Sequence, residues 1–237
     1  MVTKDFAFVL KRYNFRETSL LVNFYTLKFG KITGILKGFY TSKKEFSSNL
    51  DVSSLNEIIF YPKKRDIWLV SFTDLVSDYD YLRKNIAKAK VSSLFLNIID
   101  KTMQPLDRNE HIFDLLKVCL DALGEQDERK MLYIFLIKFL TISGVKPEFN
   151  RCIVCHSAIG KEAFFSVVKG GLLCRNCYRG VDDYQKISRE TISSLLYIQD
   201  NDFPFLLRLK PTCDCEKEIL YILQEFLRYH LDFNIPL

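Results

Sequence analysis

Residues 152–177 read CIVCHSAIGKEAFFSVVKGGLLCRNC: a Cys-x-x-Cys pair, 18 intervening residues and a second Cys-x-x-Cys pair. Each such turn aims both of its sulfurs at one point, and two turns together supply the tetrahedral set of four thiolates that Zn²⁺ prefers, with no position left open for water. Cys152, Cys155, Cys174 and Cys177 are therefore the expected ligands of one structural zinc ion per chain. Between the pairs, Ala163 to Val168 reads as a strand, Gly170 and Gly171 as a turn, and Leu172 and Leu173 as the returning strand. The expectation is a small zinc ribbon at about residues 150–180. Two disulfides or a thioredoxin-like redox pair are the competing readings. Seven cysteines is an odd number, and the N-terminus offers only the short apolar run Phe6 to Leu10 between charged residues in place of a signal peptide, which favours a reducing cytoplasm and a metal. His156, next to Cys155, reads as a surface residue and not as a substitute ligand.

Outward from the ribbon the hydrophobic period is helical. Met131 to Ile142 is apolar nearly all round, as a central helix should be, and the most apolar stretch, Met131 to Val145, with Lys138 in its midst, is too short to span a membrane. Before it, Ile112, Leu115, Leu116, Cys119, Leu120 and Leu123 fall on one face of a helix that meets Gly124 where a C-terminal cap belongs, and Leu82 to Ile99 reads as another helix. After the ribbon, Ser188 is placed to cap a helix burying Ile192, Leu195 and Leu196, and Asp214 to cap a last helix burying Ile219, Leu223, Phe226 and Leu227. Cys213 and Cys215 lie at the start of that last helix with no third ligand nearby, so they carry no metal in this reading.

Residues 1 to 79 differ in texture. Phe6 to Leu10, Ser19 to Tyr25, Ile32 to Leu36, Leu55 to Tyr61 and Ile67 to Phe72 are apolar or alternating runs separated by polar turns, the pattern of five short strands. Gly34 within the third run suits a strand that bends as a small barrel closes. An OB-fold and an SH3-like barrel both fit this pattern. The expected class is thus α+β multidomain, with a barrel domain at 1–79 and a helical bundle at 80–237 that carries the ribbon.

Charge divides the same way. Residues 1–75 hold 12 Lys/Arg against 7 Asp/Glu, whereas the rest of the chain holds 22 of each. That asymmetry points to a phosphate-bearing partner contacting the first domain. No phosphate-cradling GxxxxGK[ST], HExxH or HxE signature is present, and the three histidines are scattered, so enzymatic turnover has little material.

The order Phe8-Val9-Leu10, Glu17-Thr18-Ser19-Leu20, Thr26, Gly30, Lys37-Gly38 and Lys43-Lys44, followed by helices with an embedded four-cysteine ribbon, resembles the bacterial DNA repair and recombination mediator family RecO, in its zinc-containing branch. The likeness covers nearly the whole chain. It implies an N-terminal OB-fold, a helical C-terminal domain and work without enzymatic turnover in the bacterial cytoplasm, at the nucleoid when active. It further implies binding of single- and double-stranded DNA, annealing of complementary strands, contact with the single-stranded DNA-binding protein, and loading of RecA together with RecR.

For phosphate contact the barrel offers Lys11, Arg12, Arg16, Lys28, Lys31, Lys37, Lys43, Lys44, Lys63, Lys64 and Arg65, with Tyr13, Phe39 and Tyr40 as stacking groups. Lys37, Lys43 and Lys44 come first, because the family carries a basic cluster after its third strand. Phe39-Tyr40 stand where the family often has an arginine, and Phe39 reads as barrel core. For the tail of the single-stranded DNA-binding protein the resemblance points to Arg129, Lys130 and Lys138, with Tyr133 and Ile134 where arginines are expected. A zinc-ribbon adaptor that binds RNA or works in transcription is the alternative function.

Overall fold

The computed structural model describes residues 2–41, 46–62, 67–160, 162–180 and 184–235. They fall into two compact units, Met1–Glu125 and Gln126–Leu237.

In the first unit, strands β1 (Thr3–Phe15), β2 (Ser19–Thr26), β3 (Gly30–Leu36), β4 (Leu55–Tyr61) and β5 (Ile67–Ser77) close a barrel in the order β1-β2-β3-β5-β4. All pairings are antiparallel except β3 with β5, where Gly34 lies opposite Trp68. A β1–β2–β3 meander closed by a parallel β3–β5 pair is the five-stranded Greek-key arrangement of an OB-fold, which decides against the SH3-like alternative. The core is made by the inward residues of the alternation, among them Val9, Val22, Phe24, Ile58, Phe60, Trp68 and Val70. Gly34 is needed here for closeness and not for a bend: a Cβ on it would lie 2.7 Å from the Val70 side chain and 2.9 Å from the Phe24 ring. β1 and β5 run well past the apolar runs that predict them, because each serves two neighbours in turn: β1 pairs with β4 over Thr3–Phe8 and with β2 over Ala7–Phe15, and β5 with β3 over Ile67–Leu69 and with β4 over Leu69–Ser77.

Three helices belong to this unit: α1 (Asp80–Arg83), α2 (Ile86–Thr102) and α3 (Glu110–Leu123). The helix expected over Leu82 to Ile99 is split, since Asn85 is extended and its side chain accepts from the backbone N–H groups of Ala87 and Lys88, capping α2. Phe8, fully buried, packs its ring 5.0 Å from that of Phe113 on α3, so the expected boundary after residue 79 falls at the β5–α1 junction while packing joins α1 to α3 to the barrel. Gly124 does end α3, but in right-handed conformation; its lack of a side chain makes room for the Tyr81 ring, which a Cβ would meet at 2.7 Å.

The second unit holds α4 (Glu128–Ile142), the ribbon strands β6 (Ala163–Ser166), β7 (Gly171–Cys174) and β8 (Tyr184–Ile187), and α5 (Arg189–Asp200), α6 (Phe203–Leu206) and α7 (Cys213–Leu231). α4 is buried on every side, as its apolar sequence predicts, and packs against α5 and α7. β6 ends at Ser166 because Val167–Gly170 forms the turn, with the Gly170 N–H donating to the Val167 carbonyl at 3.0 Å. β8, on the far edge of β6, has no signal among the apolar runs. Ser188 caps α5 as expected, yet the buried face is Thr191, Ser194, Leu195 and Ile198; Ile192 and Leu196 are only partly covered. α7 is capped by Thr212, whose hydroxyl accepts from the Cys215 N–H, and not by Asp214, which sits in the first turn. Cys215 is buried and Cys213 exposed, an arrangement of helix packing and not of a metal site.

Candidate functional site

The ribbon is built from backbone upward. Two turns bring the cysteines together: the His156 N–H donates to the Cys152 carbonyl at 2.8 Å, and the Cys177 and Tyr178 N–H groups both donate to the Cys174 carbonyl at 3.1 Å. The segment from Glu148 to Ile153 runs along the free edge of β7, with the Ile153 N–H donating to the Leu172 carbonyl at 2.8 Å, so the first turn is held beside the strand that leads into the second. Phe164 and Tyr178 stack in parallel 3.8 Å apart and, with Leu173, cover one side of the cluster. His156 is exposed and adopts left-handed backbone at φ 58° to close its turn, which keeps it out of the ligand set.

The four sulfurs lie within 4.8 Å of one another, and Cys155 Sγ is 3.7 Å from Cys174 Sγ. A tetrahedron with metal–sulfur bonds of about 2.3 Å has edges of about 3.8 Å, whereas a disulfide needs about 2.05 Å. The donor set therefore fits a metal ion held by four thiolates, and all four cysteines are free. Their protonation without a cation is uneven. The Ser157 hydroxyl beside Cys155 brings its thiol down to about 6, while hydrogen bonding from Cys177 to Cys155, together with burial, pushes the Cys177 thiol up to about 12. For Cys152 burial pushes upward, but backbone hydrogen bonds from Cys155, Cys174 and Val154 outweigh it and the net direction is down. Four thiols this close cannot all ionise alone; a dication removes that repulsion and takes the place of the protons.

The barrel cations sort into two groups. Lys11 Nζ pairs with Asp100 Oδ2 at 2.7 Å, which also raises its pKa, and Lys31 Nζ donates to the Asp100 carbonyl in the last turn of α2, where the helix dipole favours a cation. Arg12 Nη1 donates to the Asn49 carbonyl at 2.7 Å and pairs with Asp51 at 3.2 Å, fastening the chain between β3 and β4 to the barrel. These three are committed to the fold. Arg16 in the β1–β2 turn, Lys28 in the β2–β3 turn and Lys37 after β3 are exposed. Lys43, Lys44, Lys63, Lys64 and Arg65 lie outside the described residues. Of the aromatic candidates, Tyr13 and Tyr40 are exposed, the Tyr40 hydroxyl donating to Asn14 Oδ1, and Phe39 packs against the barrel core.

In the second unit Arg129 is exposed. Lys130 Nζ donates to the Leu207 carbonyl and Lys138 Nζ to the Gln199 carbonyl at 3.0 Å; burial pushes both pKa values down. Tyr133 and Ile134 are fully buried.

Comparison with known families matches residues 1–79 to "Recombination protein O N terminal" and residues 83–236 to "Recombination protein O C terminal". The chain belongs to the RecO family. It is 30% identical over 200 residues to the DNA repair protein RecO of Syntrophus aciditrophicus, covering 81% of this chain and 77% of the relative. It is 25% identical over 235 residues to that of Alkaliphilus metalliredigens, covering 98% and 95%. A third similar protein, the DNA repair protein RecO of Thermoanaerobacter sp., is 24% identical over 234 residues, covering 98% of this chain and 93% of the relative. Family membership gives the chain a role in DNA repair, and the family is one of repair proteins and not of enzymes. No helix among the described residues is long and apolar enough to cross a membrane.

Phe15 escaped the sequence reading. It is exposed beside Arg16, whose guanidinium carbon lies 5.3 Å from the ring centre. Its signal is the period of two that continues from Lys11 through Tyr13 to Phe15, past the last core residue of β1.

Proposed function

We propose that the chain acts in DNA repair as a recombination mediator, binding single- and double-stranded DNA through its barrel, annealing complementary strands, and working with RecR to load RecA onto strands covered by single-stranded DNA-binding protein in the bacterial cytoplasm. The observation that carries this reading is a closed barrel in OB-fold strand order, within the segment that matches the family's N-terminal region, whose first 75 residues hold all of the chain's excess positive charge. OB barrels bind oligonucleotides across the outer face of strands two and three and the adjoining loops. Annealing requires weak, sequence-tolerant contacts that leave base edges free, which phosphate contacts by lysine and arginine supply. The four-cysteine ribbon holds Zn²⁺ in this reading; a closed tetrahedral thiolate site contributes folding free energy and no reaction. For the tail of the single-stranded DNA-binding protein, Arg129 is the exposed member of the three basic residues proposed in the second unit.

The test is strand annealing with the purified full chain, at several salt concentrations, with and without RecR and the single-stranded DNA-binding protein. Accelerated annealing of DNA whose affinity falls steeply with salt supports the proposal. No binding to DNA of either form, or binding confined to structured RNA, overturns it in favour of the RNA adaptor.

A further inference from the structure

The outer face of β1, β2 and β3 is only partly covered. α2 meets the row Lys11–Asn23–Thr33, where Lys11 and Asn23 both contact Asp100, and its Ser93, Leu96 and Asn97 border an open cavity with Tyr13. The next row outward on the same face is Tyr13–Leu21–Ile35, and beyond it Phe15 lies opposite Ser19. Along this strip Leu21 and Ile35 are half-buried, while Tyr13 is 49% and Phe15 37% exposed. Single exposed apolar residues are ordinary, but two aromatic rings standing over a continuous apolar row on a barrel face are not explained by folding.

Charge surrounds the strip. Arg16, at φ 55° in the hairpin turn, lays its guanidinium against the Phe15 ring, and Lys37, in the turn that directly follows β3, is exposed. Glu17 is the one carboxylate in the turn. Tyr13 and Phe15 are about 6.7 Å apart along the strand, which gives each of two successive unstacked bases its own ring.

We propose that this strip is a stacking ledge for single-stranded nucleic acid: Tyr13 and Phe15 take two bases by their faces, and Arg16 and Lys37 take the flanking phosphates. The proposal rests on the reading of the barrel as DNA-binding and adds the residues and the strand preference. Stacking needs unpaired bases, so the ledge favours single strands over duplex and tolerates any sequence, because every base has a π-face.

The test compares the wild-type full chain with Tyr13→Ala, Phe15→Ala and the double variant, using a labelled oligothymidylate and a duplex of equal length. Each single change is expected to weaken oligothymidylate binding by about fivefold or more and the double change further, with the slope against salt unchanged and duplex affinity kept within about twofold. Phe15→Trp is expected to restore binding, and the cooperative unfolding of all variants to match wild type, since both rings are exposed. Unchanged oligothymidylate affinity in the double variant overturns the ledge while leaving the DNA-binding reading intact; a wild-type chain that binds neither oligonucleotide overturns both. An equal loss for single strand and duplex, or loss of a protein partner with oligonucleotide affinity intact, also overturns it and assigns the strip to another ligand.

Discussion

Gly30→Ala tests how the barrel is joined to its helices. Gly30 opens β3 at φ +65°, and a Cβ there would stand 2.1 Å from the Asp107 carbonyl oxygen and 2.5 Å from its carbon. An ordinary C···O contact begins near 3.3 Å, so the chain between α2 and α3 would have to withdraw by about 1.2 Å. That chain is tied down close by: the Leu106 N–H donates to the Lys31 carbonyl at 2.9 Å, and the Tyr25 hydroxyl donates to the Asn109 carbonyl at 3.2 Å. Alanine in left-handed backbone costs about 1–2 kcal/mol, overpacking about 1–3 kcal/mol and a severed hydrogen bond about 1 kcal/mol, so the first unit should lose roughly 3–6 kcal/mol. Trp68 is the chain's one tryptophan and is buried in the barrel against Phe60, which makes its fluorescence a reporter of that unit. In a urea titration the Trp68 transition of Gly30→Ala should move to a much lower midpoint at an unchanged slope, with bound zinc unaffected. A shift worth less than about 1 kcal/mol would refute the reasoning, since it would mean that the Asp107 turn gives way freely.

The purified protein should carry about one zinc per chain, and Cys174→Ser should lose it while keeping the Trp68 transition; metal analysis that finds full zinc in the variant contradicts the ligand assignment. Because each ligand sheds a proton on binding, zinc should be lost as pH falls and retained as it rises, the Cys177 thiol, up at about 12 without metal, being the group whose protonation opposes binding at neutral pH; dialysis over a pH series with metal analysis checks the direction. His156→Gly should relieve left-handed strain and make zinc harder to remove by a competing chelator, by roughly 1 kcal/mol. A fragment 1–125 should bind single-stranded DNA and 126–237 much more weakly, whereas one ending at residue 80 should aggregate through bared Phe8 and Tyr25; equal binding by the two halves would move the site off the barrel. Lys37→Ala should reduce the slope of log affinity on log salt by about 0.7 for a single strand, and an unaltered slope removes Lys37 from the contact set.

The ribbon was legible because its information is local. A Cys-x-x-Cys turn is made by four consecutive residues, and the two turns meet through a hairpin whose glycine can be seen in the chain, so the gathering of the four cysteines follows from their spacing. The strand runs and the buried central helix were legible for a similar reason: periods of 2 and 3.6 are properties of neighbouring residues. Strand order was not, since closing β3 onto β5 in parallel pairs Gly34 with Trp68 across 34 positions that carry no mark of the pairing.

The cations show the same division at the candidate site. Composition placed the positive charge in the first 75 residues, but it took the folded chain to bring Asp100 against Lys11 and Lys31, and Asp51 against Arg12, and so to withdraw those three from any ligand. Charge along a sequence is additive, whereas the availability of a charge depends on which groups the fold sets beside it. By itself the sequence determined the family, the barrel-then-helices plan and the four-cysteine cluster; the tertiary structure alone decided which lysines and arginines face water, that α1 to α3 pack with the barrel, and that Tyr13 and Phe15 stay exposed on its outer face, because each of these depends on residues that only folding makes neighbours.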